Sequence, residues 1–337
     1  MKEFHKHIIF CKTKLTGYFR YRDEFQIYPA DFAGMPKSSI QEHHPIVLEY
    51  VIHENEIIVP NTEKDELTDL RTLTASTLTK QDKIISLLTL FTNHYFFRVK
   101  GSGFWGLPIL YDNPGKEANS WSSKWNMAMF HWPEYPEQFK IDNFTILSLP
   151  KVESLEHFRY YYNPNFDSYY SDKAITFPNT IFSGLDSYHS KNEETKTMLN
   201  SAISFIYSAM QMKEDEKTMS IIASFTAIET MVNWENKDFK PEVCKDCGQL
   251  KFKVSQKYRD YLLKYIGNSD NNRKKFNAFY KLRSEIIHTG TRLKTEDLYV
   301  DLPREAKDKE FINHMEVLQM SKLAIIHWLG LNKQKET

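Results

Sequence analysis

Apolar and polar positions change rhythm along the chain near residue 177. Before that point the apolar residues come in short runs bounded by turn-forming residues. His7–Lys12, Thr16–Tyr21, Glu24–Tyr28 and the pair Ile46–Ile52 and Glu56–Val59, the last two flanking His53-Glu54-Asn55, read as strands. Tyr95–Val99, Phe104–Tyr111 and Trp125–Trp132 read the same way. One helix stands among them. Thr79 and Asp82 fit a capping box, and Ile84, Leu87, Leu88 and Phe91 make an amphipathic stripe. Residues 1–150 therefore predict an α+β domain, and 151–192 an aromatic-rich connection with a first helix.

After residue 177 the helical period takes over. Glu193–Met212 carries a stripe at Met198, Ala202, Phe205, Ile206, Ala209 and Met212. Thr218–Trp234 is apolar nearly all round, the mark of a helix central to its domain. Tyr258–Ile266, Asn271–His288 and a long segment from Phe311 to Leu331 complete the set. The expected fold is an α+β N-terminal domain followed by an all-α helical bundle over 193–337.

Length and composition support this and narrow the setting. A chain of 337 residues with 41% hydrophobic and 26% charged residues can bury a large core. No apolar run reaches the length of a membrane span, and Ile8–Cys11 is too short for a signal peptide. Three cysteines favour a reducing compartment over a disulfide framework, so the expected location is cytoplasmic, with no membrane partner. Net charge is zero, but its distribution is uneven. Between Lys251 and Lys294 twelve basic residues face three acidic ones, a basic window suited to a phosphate backbone or to a solvated helical face.

Inside that window lies an anomaly. Phe276, Phe279, Tyr280, Ile286 and Ile287 trace a core-facing stripe, and the slot at i+7 from Phe276 is filled by Arg283. A guanidinium on an apolar seam is costly unless something anionic meets it. His288, able to move protons near neutrality, follows about 140° further round, in the last turn before Thr289-Gly290. The nearly all-apolar helix at 218–234 carries one ionisable residue, Glu229, and a buried carboxylate also needs a partner. Matching needs suggest a Glu229–Arg283 pair. Lys274, Lys275, Lys281 and Arg292 surround the site as candidate phosphate contacts.

Other motifs carry less. Gly101-Ser102-Gly103-Phe104-Trp105-Gly106 fits GxGxxG, but a β-like run follows where a dinucleotide site needs a helix. Cys244-Lys245-Asp246-Cys247-Gly248 is a zinc-knuckle half without a second half nearby, either a conformational loop or part of a zinc site completed by distant or partner-chain ligands, and His5, His7, Cys11 and His43-His44 lack acidic partners at ligand spacing. No metal or other cofactor is expected. The aromatics between Phe158 and Phe177 serve either domain packing or base stacking.

The order of features is a buried helix with Ala227-Ile228-Glu229, then CxxCG, then Tyr258-Arg259-Asp260-Tyr261-Leu262-Leu263, then Phe279-Tyr280-Lys281-Leu282-Arg283-Ser284-Glu285-Ile286-Ile287-His288-Thr289-Gly290. This resembles the HEPN superfamily, most closely its Apea-like branch, over roughly residues 195–330. The resemblance implies a homodimer in which two R-x(4–6)-H motifs meet, forming a metal-independent endoribonuclease of antiphage, abortive-infection or toxin systems. His288 would then be general acid/base, Arg283 would hold the scissile phosphate, and RNA would be the substrate. Family members usually place asparagine or another polar group after the arginine; here it is Ser284. The N-terminal domain would sense a phage-derived or cellular trigger or select the substrate. Inactive members of the superfamily offer the alternative: a non-catalytic RNA-binding or dimerisation module.

Overall fold

The computed structural model describes residues 2–30, 43–57, 66–98, 107–110, 127–130, 140–162, 173–240, 242–243, 250–251, 253–297 and 301–332. The chain forms two compact units, one of Met1–Leu88 with Thr92–Asn179, the other of Thr89–Phe91 with Thr180–Thr337. The β-containing N-terminal region and the mostly helical remainder follow the expected division. The unit boundary falls within 151–192.

The first unit is built on an antiparallel sheet. Its strands are β1 (Lys2–Cys11), β2 (Phe19–Tyr21), β3 (Phe25–Pro29) and β4 (His44–His53). After helix α1 (Glu66–Phe91) come β5 (Phe96–Phe97), the antiparallel pair β6 (Leu107–Leu110) and β7 (Met127–Phe130), and β8 (Lys140–Ile141). The sheet order is β2-β3-β4-β1-β5, with β8 also on β1. Along β4, Ile46 to Ile52 are all buried, so this central strand is covered on both faces. Tyr50 on one face accepts a hydrogen bond from Gln81 of α1. Glu49 on the other is fully buried, and Gln26, Tyr28 and the backbone and hydroxyl of Thr145 all donate to its carboxylate within 2.6–2.8 Å. Four donors replace the water that a buried carboxylate loses, and they fasten the segment at Thr145 to the sheet.

Two expectations are corrected by the structure. Thr79 does not open a helix; it lies inside α1, because nothing from Glu66 to Phe91 is a glycine or proline that would stop the helix earlier. Glu56 belongs to a short 3-10 turn, Glu54–Glu56, and not to a strand, and β4 pairs with β1 and β3. The Glu56 carboxylate instead caps that turn and receives the buried Lys80 at 2.6 Å. GxGxxG lies outside the described residues, but Leu107–Leu110 after it is a strand, as expected.

The unit closes with the parallel pair β9 (Ser154–Leu155) and β10 (Phe177–Pro178), and with α2 (His157–Tyr162). Tyr160 and Tyr161 are buried, Tyr160 bonded to both amides of Asn93, whereas Phe158 and Tyr162 are exposed.

The second unit is helical: α3 (Ile181–His189), α4 (Glu193–Met212), α5 (Lys217–Glu235), the small pair β11 (Glu242–Val243) and β12 (Leu250–Lys251), α6 (Val254–Tyr265), α7 (Asp270–Thr289) and α8 (Arg304–Asn332). Central α5 behaves as its sequence predicts, with Ser220, Ile221, Ala223, Ser224, Phe225, Ala227, Ile228, Met231 and Val232 buried. Small residues on it permit close approach: Ser220 donates to the Ala209 carbonyl of α4 and meets His314 of α8 at 2.8 Å. Among the described residues no helix is long and apolar enough to cross a membrane.

Candidate active site

Helix α7 starts and stops by local chemistry. The Ser269 side chain accepts the Asn272 amide, and Gly290 ends the helix in the left-handed region at φ 68°, its N–H bonded to the Ile286 carbonyl. Phe276, Phe279 and Ile286 are buried. Arg283 stands four residues after Phe279 and three before Ile286, on the same seam. Tyr280 is half-buried and Ile287 is 45% exposed, so the buried arc is narrower than the expected stripe. An arc centred on Phe279 and Ile286 turns Ile287 outward.

The anion that meets Arg283 is Glu229. Nε lies 2.8 Å from Oε1 and Nη2 donates to Oε2 at 3.1 Å. Oε1 is off the line of the Nε–H and is left without a hydrogen bond among the described residues. The pair sits at the edge of the core, its side chains 19% and 24% exposed. Glu229 takes the side-on fork of the guanidinium. Of five N–H donors, the end-on fork of Nη1 and the outer Nη2 proton meets no other acceptor among the described residues.

Near the pair lies Tyr258, to which the sequence pattern assigns no role beyond core packing. The Tyr258 hydroxyl of α6 is buried and without a hydrogen bond among the described residues. Its ring packs against Tyr280 and Phe225. Burial pushes the phenol well above its usual range, the neighbouring Glu229 carboxylate adds to that, and Arg283 opposes it. The only signal in the sequence is a tyrosine on the apolar stripe of α6, which cannot be told from core packing.

His288 is exposed, about 200° round from buried Ile286 and about one turn beyond half-buried Ser284. Lys274, Lys281 and His288 recur every seven residues, so they share one exposed row with little drift. Lys281 reaches toward Glu285 at 3.7 Å, a loose contact on a side chain 78% exposed. Lys275 points elsewhere, paired with Glu316 of α8 at 2.6 Å. Arg292 lies beyond the helix, 3.5 Å from Glu296. Part of the basic window is engaged locally: Lys264 holds Glu235, Lys257 lies over the Phe239 ring, and Arg259 donates to Asn277.

The chain leaving α7 is tied down at once. Leu293 donates its N–H to the Thr218 hydroxyl, and the Glu296 carboxylate accepts both the Thr218 N–H and its hydroxyl. Glu310 of α8 accepts the backbone N–H groups of Lys294 and Thr295. The end of α7 that carries His288 is thereby fixed to α5 and α8.

Cys244 and Cys247 lie outside the described residues. Among the described residues no three His, Cys, Asp or Glu side chains are grouped as a metal would need. His5 stacks on Tyr50, and Cys11 is buried. No protein-family model, characterised protein or solved structure gives a significant match to this chain.

Proposed function

We propose that the chain is a metal-independent endoribonuclease of the HEPN type, acting as a cytoplasmic homodimer in antiphage defence or as a toxin. The observation that carries the reading is the arrangement on α7. Arg283 is held side-on by Glu229 with its end-on fork uncommitted among the described residues, and His288 stands on the exposed row of the same helix. The defence setting and the sensing role of the N-terminal unit rest on the sequence resemblance alone.

The chemistry follows from those groups. One His288 accepts the proton of the ribose 2′-hydroxyl as its oxygen attacks the adjacent phosphorus. The His288 of the second subunit gives a proton to the departing 5′-oxygen. The products are a 2′,3′-cyclic phosphate and a 5′-hydroxyl. Arg283 stabilises the charge that grows on the phosphoryl oxygens. DNA lacks the attacking hydroxyl and is not cut. Pairing two subunits supplies an acid and a base together, which one imidazole per chain cannot do in one step. Partly exposed Ile287, between Arg283 and His288 on the helix surface, gives the second copy an apolar contact.

A second reading has one observation in its favour. The Glu229–Arg283 pair satisfies the arginine inside its own subunit, as it would in a non-catalytic RNA-binding or dimerisation module. RNA cleavage in excess EDTA separates the two. The nuclease reading predicts cleavage by the wild type and a loss of about a hundredfold or more in His288→Ala. Intact RNA with both proteins, at unchanged binding, supports the platform. RNA affinity should also fall steeply with salt if Lys274 and Lys281 meet phosphates. A flat response removes them from the interface.

A further inference from the structure

A cavity of about 390 Å³ opens between the start of α5, the chain leaving α7 and the first turns of α8. Lys217, Lys294 and Lys307 line it, with Leu293, Leu302 and Phe311 as its apolar wall. Its volume lies in the range of small-molecule sites. The cations are the unusual part. Among the described residues none of these three lysines has an ion-pair partner, although carboxylates line the same cavity.

Two of the three carboxylates, Glu310 and Asp297, are otherwise engaged. Glu310 accepts the backbone N–H groups of Lys294 and Thr295. Asp308 leans toward Arg304 at 3.8 Å, and Asp297 is itself engaged. Ammonium groups that share one cavity without a carboxylate partner attract an anion placed among them. Phe311, 58% exposed, offers a flat aromatic face beside them. Such a face is suited to stacking a planar base.

We propose that this cavity binds a nucleoside phosphate, its phosphate on Lys217, Lys294 and Lys307 and its base against Phe311. A free nucleotide and the terminal nucleotide of an RNA strand share that chemistry. The site stands apart from the nuclease reading, because binding here requires neither Arg283 nor His288.

Titration calorimetry of the full chain tests it with ATP, AMP, inorganic pyrophosphate and a 5′-phosphorylated RNA trinucleotide. Saturable binding of ATP or AMP that weakens about tenfold in Lys307→Glu and again in Phe311→Ala supports a free-nucleotide site. The same losses seen for the trinucleotide alone support a strand-end site. Both residues are exposed, so circular dichroism should report an intact fold in each variant. The proposal is overturned if no nucleotide or trinucleotide binds, if binding is indifferent to both substitutions, or if pyrophosphate matches ATP and Phe311→Ala changes nothing. His288→Ala should leave the ATP and AMP titrations unchanged even where it abolishes cleavage, so failure of one reading is distinguishable from failure of the other.

Discussion

Tyr258 poses the sharpest question at the level of single residues. A phenol in the core normally finds a partner, yet this one lies near the Glu229–Arg283 pair with its hydroxyl unsatisfied among the described residues. If that hydroxyl does nothing for the fold, Tyr258→Phe should leave the urea-unfolding free energy unchanged or raise it by about 1 kcal/mol. A clear destabilisation would mean that a water or a displaced partner completes it. The pairing of Glu229 with Arg283 was legible beforehand because each broke an otherwise apolar surface, and a buried charge has few solutions. The Glu49 cluster was not legible. Its donors come from positions 26, 28 and 145, and nothing local in the sequence links them.

Elements were legible to the extent that their stop signals are local. Helix α4 matches its predicted limits of Glu193–Met212, with the Asn192 side chain capping it. Helix α1 ran longer than predicted because a plausible cap inside a helix looks like one at its start. Gly290 is the local signal that sets the end of α7. A Cβ there would meet nothing within 4 Å, so only its backbone angle resists substitution. Gly290→Ala should therefore cost about 1 kcal/mol, read by urea titration. A larger loss would mean that the strap to Thr218 had come away too. Where α8 crosses α5, burial lowers the His314 imidazole to about 4 from 6.5. Lys217 and Lys213 push the same way and Glu296 opposes them. The unfolded chain therefore binds a proton that the folded one refuses between those values. Stability should be flat above pH 6.5, fall by up to about 3 kcal/mol as pH drops toward 4, and lose no more from this group below that. His314→Gln, which keeps a donor for Ser220, should shrink the loss; an unchanged pH profile assigns it to other groups.

For the molecule as a whole, two units share one chain, and the helical one carries each residue that the proposed chemistry needs. Their order was readable because apolar periodicity changes once, near residue 177, while the unit boundary at Asn179–Thr180 depends on long-range packing that periodicity does not record. In the proposed reaction, assembly is what would turn one imidazole per chain into an acid and a base. Replacing His288 by cysteine, with Cys244 and Cys247 changed to serine, and oxidising the protein at low concentration tests that directly. The account predicts a disulfide-linked dimer on a non-reducing gel, absent when the new cysteine is omitted. A protein that stays monomeric by sedimentation, with no cross-link at position 288, would contradict it.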